Sequence, residues 1–236
     1  MNLADSARTL FGVELTEPQL GQFDRLTTEL LSWNAHTNLT AITDPQEITL
    51  RHYLDSLSLI PALNLADGMR LADVGSGAGF PGLALQIALP SLYTTMIEAT
   101  GKKARFISHA IEALGLERAR VLAARAEEAG RNPHQRAKYD VVVARAVARL
   151  PVLVEYLLPL AKIDGLCVAM KGITAEAEVV DSRGALAILG GEVERTERVE
   201  LPGVDDPHFL VIIRKTKPTP PGYPRNAGIP AKKPLT

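Results

Sequence analysis

One stretch constrains this chain more than any other. In Leu71-Ala72-Asp73-Val74-Gly75-Ser76-Gly77-Ala78-Gly79-Phe80-Pro81-Gly82 a short apolar run ends in a glycine-rich turn and continues into helix-forming residues. Such a stretch predicts a buried strand, a loop whose backbone approaches a ligand, and a helix. Gly75, Gly77 and Gly79 stand at alternate positions, where φ > 0 is accessible and a Cβ would collide with a bound group. A dinucleotide fingerprint requires a further glycine where this chain has Phe80, which weakens a nicotinamide reading. Asp73, the acid just before the loop, suits a cationic ligand better than a pyrophosphate. S-adenosylmethionine, a sulfonium, is therefore the expected cofactor, with Asp73, Gly75 and Gly77 among its contacts. A tight strand-to-helix turn with no ligand is the alternative that downstream residues must decide.

From Met69 the pattern is of short apolar runs separated by helical segments, the signature of a right-handed, doubly wound parallel α/β sheet. Strands are expected near 69–74, 93–98, 120–122, 139–143, 166–170, 192–199 and 209–214. Helices are expected over 83–88, 102–114, 150–160 and 175–189. In such a sheet the loops at the carboxyl ends of the strands wall one site. Glu98 ends the second strand at the spacing from the glycine loop where an acid accepts hydrogen bonds from ribose hydroxyls. Ala126 and Glu127, after the third strand, either meet the edge of an adenine base or begin an ordinary solvated helix. Arg145, after the fourth strand, can orient a cofactor or an RNA phosphate. Lys102, Lys103 and Lys171 fall on the same rim.

Residues 1–65 are expected to be a helical extension. Thr16-Glu17-Pro18-Gln19 reads as an N-cap, and Leu20, Phe23, Leu26, Leu30 and Leu31 recur at helical spacing behind it. Arg51, His52 and Asp55 share one side of a later helix, as a local ion-pair network or as the mouth of the site. An α/β core over 66–215 and a tail over 216–236 complete the division. No acid follows Asp206, whereas six prolines from Pro218 onward alternate with basic residues. That tail is expected to lack regular structure, either as a clamp in which Tyr223, Arg225, Lys232 and Lys233 meet RNA or as a solubilising extension.

With a formal net charge of −1, the chain is not a basic coat protein, so affinity for nucleic acid has to come from local clusters. The single cysteine, Cys167, lies in an apolar run and cannot form an internal disulfide, which suits core packing in a reducing compartment. The N-terminus shows neither a signal peptide nor a spanning segment, and a cytoplasmic location is expected. Neither metal nor membrane is expected to take part.

Several further motifs carry a resemblance over nearly the whole chain: Trp33-Asn34 with Asn38-Leu39-Thr40, Arg51-His52-Tyr53-Leu54-Asp55-Ser56, the glycine loop through Pro81-Gly82, Arg145-Ala146, and Tyr223-Pro224-Arg225 with Pro230 and Pro234. Together they resemble the bacterial small-subunit ribosomal RNA methyltransferase G family, also called glucose-inhibited division protein B. The resemblance implies a Rossmann-like class I S-adenosylmethionine-dependent methyltransferase acting on N7 of guanine 527 in 16S ribosomal RNA, alone or in the 30S subunit; a monomer is expected. It places cofactor contacts on Gly75, Phe80, Ala126, Glu127 and Arg145. Ala124-Arg125-Ala126 departs from the Gly-Arg-Ala that the family often carries. Arg145, His52 and Asp55 are expected to position the reactants, with no general base, and Arg51 to face RNA. The alternative keeps the fold and removes turnover: a sensor or RNA-binding protein that holds the cofactor.

Overall fold

A computed structural model describes residues 2–236. Its first helices follow from their ends. Helix α1 (Leu3–Phe11) begins where the Asn2 side chain accepts the Ala4 N–H and stops at Gly12, in the left-handed region. Helix α2 (Glu17–Thr37) begins in a capping box of Thr16 and Gln19. The Gln19 amide also donates to the carbonyls of Ile87 and Ala88, each at 2.9 Å, and so ties the start of this helix to the end of a later one. Phe23, Leu26 and Leu30 are the buried face of α2 and share a cluster with Leu83, Ile87, Phe106 and Ala110. Burying each such side chain contributes roughly 1.5–3 kcal/mol, which fixes the extension to the core. The Asn34 side chain accepts the N–H groups of Leu39 (2.6 Å) and Thr40 (3.0 Å), so the Trp33–Thr40 motif organises the turn after α2.

Helix α3 (Pro45–Ile48), capped by Asp44, runs into a π-helical turn over Thr49–Leu54, then α4 (Asp55–Leu57) and α5 (Leu59–Leu63). Alternating elements follow: β1 (Arg70–Val74), α6 (Gly82–Ala88), β2 (Tyr93–Ile97), α7 (Gly101–Ala113), β3 (Ala119–Leu122), α8 (Ala126–Arg131) and β4 (Tyr139–Arg145). The chain continues through α9 (Leu150–Leu157), β5 (Ala161–Lys171), α10 (Ala175–Asp181), α11 (Arg183–Leu189), β6 (Gly191–Val199), β7 (His208–Lys215) and α12 (Ile229–Lys232). The single helix expected over 175–189 is divided at Ser182.

These strands form one sheet in the order β3-β2-β1-β4-β5-β7-β6. The winding reverses between β1 and β4, the switch point outside which ligands bind in such sheets. The strands from β3 to β5 are parallel, as expected, but β7 runs antiparallel to both β5 and β6. The connection from β6 to β7, residues 200–207, holds no crossover helix, and a parallel pair would require one. No helix among the described residues is long and apolar enough to cross a membrane.

The tail departs most from expectation. Instead of lacking structure, it folds back over α8, α9 and α11 and includes α12. Arg136 donates to the carbonyls of Thr219 (2.8 Å) and Tyr223 (2.6 Å), and Arg131 donates to that of Pro224 (2.7 Å). Its prolines leave few local hydrogen bonds, so side chains distant in sequence satisfy its backbone.

Candidate active site

The glycine loop leaves the end of β1 with φ +70° at Gly75, +61° at Gly77 and +89° at Gly79. A Cβ at Gly79 would overlap Leu83, so that glycine serves packing as well as turn geometry. Glu98, at the end of β2, accepts the Gly77 N–H at 2.9 Å through one carboxylate oxygen and the Thr100 N–H at 2.7 Å through the other. Two acceptor positions on this carboxylate stay free for a ligand hydroxyl. Asp73, expected among the cofactor contacts, is fully buried. Its Oδ2 accepts the Gly82 N–H at 2.9 Å from beneath the loop, while Oδ1 has no partner among the described residues. Burial raises its pKa to about 6 against the pull of that N–H.

Arg145 closes β4 and anchors a compact network. It donates to Asp55 Oδ2 and to the Arg51 carbonyl, both at 2.9 Å, lies 3.2 Å from His52 Nδ1, and sits 5.6 Å from the centre of the Phe80 ring. His52 stacks on Phe80 with centroids 4.6 Å apart, and its Nε2 meets Thr40 Oγ1 at 3.1 Å. The Trp33–Thr40 motif thus reaches the site through Thr40. The π-helical turn carries Arg51 and His52, an irregularity of the kind found at functional sites. Burial, helped by the Arg145 charge, lowers the His52 pKa to about 4, so the ring is neutral at neutral pH. Burial pushes the Asp55 carboxyl up, but His208 and Arg145 outweigh it and hold the group below the usual carboxylate range.

His208, the first residue of β7, binds Asp55 Oδ1 through Nδ1 at 3.0 Å, and this bond raises its pKa against the effect of burial. Nothing local in the sequence marks His208, because only the antiparallel placement of β7 brings it to Asp55. The expected pairing of Arg51 with Asp55 is absent. Arg51 turns outward to Glu47 (2.6 Å) and Asp206 (3.7 Å). Ala146 follows Arg145 with φ +55°, a strained value for a residue with a Cβ.

A cavity of about 490 Å³ opens beside Arg145, at the carboxyl ends of β4 and β5, with Lys171, Gly172, Thr174 and His208 in its wall. Lys171 is not a free rim cation: it pairs with Glu178 at 2.7 Å and donates to the Ala148 carbonyl at 2.6 Å. Lys102, Lys103, Lys232 and Lys233 make no ion pair among the described residues, and all but the half-buried Lys103 are exposed.

On the other side of the loop, Ala126 and Glu127 open α8. Glu127 is buried and accepts the Gly228 N–H at 2.8 Å. Tyr223 is half-buried against the apolar cluster behind α9. Arg225, expected on RNA, instead grips the fully buried Glu155 through its backbone N–H (2.7 Å), Nε (3.0 Å) and a terminal guanidinium nitrogen (2.6 Å). Cys167 is buried in the sheet, where desolvation raises its thiol to about 12, in keeping with a packing role. Among the described residues no group of three or more His, Cys, Asp or Glu side chains stands together as a metal site.

Comparison with known proteins agrees with this arrangement. The geranyl diphosphate C-methyltransferase of Streptomyces coelicolor A3(2), solved with S-adenosyl-L-homocysteine, superposes with a TM-score of 0.55 at 13% identity, covering 68% of this chain and 77% of that one. This likeness shows the class I methyltransferase fold. The ribosomal RNA small subunit methyltransferase G of Roseiflexus castenholzii is 51% identical over 228 residues, 96% of each chain. That of Pelotomaculum thermopropionicum is 46% identical over 233 residues, 99% of this chain and 97% of its own. Residues 19–206 match the model of one family, and that match together with near full-length identity to its members settles the affiliation: the chain belongs to the rRNA small subunit methyltransferase G family.

Proposed function

We propose that the chain transfers a methyl group from S-adenosylmethionine to N7 of guanine 527 in 16S ribosomal RNA of the 30S subunit. Family membership supports a small-subunit rRNA methyltransferase. The cofactor, the atom and the nucleotide are our reading of the site and of its resemblance. The residues suit the cofactor: Gly75 and Gly77 take positive φ values that bring the loop backbone close to a ligand, Glu98 has free acceptor positions beside them, and Ala126 with Glu127 is read as bordering the adenine end. When bound, this cofactor supplies an electrophilic methyl group on a sulfonium.

The observation that carries the reading is Arg145, fixed by Asp55 at the β1–β4 switch point with the glycine loop on one side and the cavity on the other. Phe80 and His52 stack on each other beside Arg145. A guanine in the cavity would present N7 towards the loop, with Arg145 holding a phosphate or the cofactor. N7 carries a free lone pair at neutral pH, so no proton need be removed. Both ring nitrogens of His52 are engaged, consistent with positioning and not with proton abstraction. Proximity and orientation then account for the acceleration. Lys102, Lys103, Lys232, Lys233 and the outward edge of Arg51 remain as candidate phosphate contacts, whereas Lys171 and Arg225 are committed to internal carboxylates. The test is transfer of labelled methyl to unmethylated 30S subunits, with N7-methylguanine mapped along 16S RNA. Label confined to position 527 is expected; label elsewhere, or none, overturns the proposal.

A further inference from the structure

The tail is rich in proline and basic residues, yet its best-defined contacts are internal. Arg225 closes on Glu155, which has no exposed surface. Pro224 lies so close to α8 that a Cβ at Gly130 would come within 2.8 Å of its ring. At the far end, a Cβ at Gly184 would overlap the backbone of Thr236, so the chain end is also seated against α11. Between these two anchors the chain passes Glu127, and the Gly228 N–H reaches Glu127 Oε1 at 2.8 Å. Gly228 stands at φ +80° with open space around its α-carbon. The glycine is thus required by the direction of its N–H and not by crowding.

We infer that residues 223–236 are a clasp that positions the cofactor pocket, with Gly228 acting on the cofactor through Glu127. The inference rests on the reading, made above, that Glu127 borders the adenine end. Glu127 has no cationic partner among the described residues, and it is buried at the opening of α8. An acid in that position keeps a single side-chain direction only if a donor holds one of its oxygens. The tail supplies that donor, leaving the other oxygen available to the pocket. The basic composition of the tail is then divided by function: Arg225 is internal, while Lys232 at the end of α12 and Lys233 just after it are exposed.

Truncation after Asn226 removes Gly228 and keeps the Arg225–Glu155 pair. Gly228→Pro removes the same N–H in the full-length chain, and Gly228→Asn keeps an N–H in a residue that tolerates the left-handed region. Binding of S-adenosylmethionine and of S-adenosylhomocysteine is measured by calorimetry, and KM for each substrate with 30S subunits. The truncation and Gly228→Pro are expected to weaken both cofactor ligands roughly tenfold, the loss of one hydrogen bond to a charged acceptor. KM for 30S subunits should stay within about twofold for Gly228→Pro, and Gly228→Asn should recover most of the cofactor affinity. Unchanged cofactor affinity in both variants, with Glu127→Ala still impaired, overturns the clasp and leaves the reading of the pocket intact. A rise in KM for 30S subunits with normal cofactor affinity overturns it in favour of an RNA clamp. Normal cofactor binding in Glu127→Ala overturns the pocket assignment and the clasp with it.

Discussion

Arg225→Ala separates the two roles open to the tail. Glu155 is fully buried and Arg225 keeps 24% of its side-chain surface exposed, so the substitution strands a carboxylate in the apolar layer behind α9. Removing one partner of a buried pair costs about 3–5 kcal/mol. The Arg225 backbone N–H, 2.7 Å from Glu155 Oε1, survives the substitution, which puts the cost near the lower end, about 3 kcal/mol. For a chain of this length each kcal/mol shifts the melting temperature by about 2–4 °C, so a fall of roughly 6–12 °C is expected by calorimetry. Arg149→Ala is the control, because Arg149 and Asp181 are 69% and 51% exposed. A pair so exposed is worth at most about 1 kcal/mol, or roughly 4 °C. Adding Glu155→Leu to Arg225→Ala should return much of the loss, since no charge is then left buried. If Arg225→Ala melts like the control while its affinity for 30S subunits falls and the salt slope flattens by about one, Arg225 is an RNA contact and the buried-pair reasoning is refuted.

Gly75→Val places a β-branched residue at φ +70° with its Cβ 2.6 Å from Val147 Cγ2; calorimetry should show cofactor binding lost while most far-ultraviolet dichroism is kept. The single-turnover rate with saturating substrates should be flat over roughly pH 6 to 9, where a histidine base of ordinary pKa would titrate, because attack by N7 removes no proton. His52→Asn should lower that rate without bending the profile, and a rise that disappears in the variant would make His52 a base. His208 has a raised pKa in the folded state, so its bond to Asp55 stabilises fully below the unfolded value of 6.5 and fades as pH rises through the folded value. The melting temperature lost in His208→Asn should therefore be larger at pH 6 than at pH 9, and equal losses would refute the coupling. Replacing Lys102 and Lys103 by Gln should reduce the salt dependence of 30S binding by about one unit per lost phosphate contact and leave cofactor affinity unchanged.

Local chemistry was legible without coordinates. The Thr16–Gln19 cap, the periodicity of α2, the strand-to-glycine turn at 71–82 and the positions of Glu98, Ala126 and Arg145 at the ends of successive strands depend on residues close in the chain. Backbone sterics and short hydrogen bonds decide such features. The motif at 33–40 was visible, but its purpose, holding Thr40 against His52, was not. Three other outcomes depend on how the chain packs. Asp73 is turned beneath the loop because Gly82 offers its N–H there and no solvent reaches the site. His208 enters the network because β7 runs antiparallel beside β5 and delivers its first residue to Asp55. The tail is ordered because Glu155, Glu127, Arg131 and Arg136, all contributed by the segment from α8 to α9, satisfy its charge and its backbone. Composition reports that a segment is proline-rich and basic, but only packing decides whether a buried carboxylate elsewhere claims its charge, because the penalty for leaving that carboxylate unpaired arises only once the tertiary fold has excluded water.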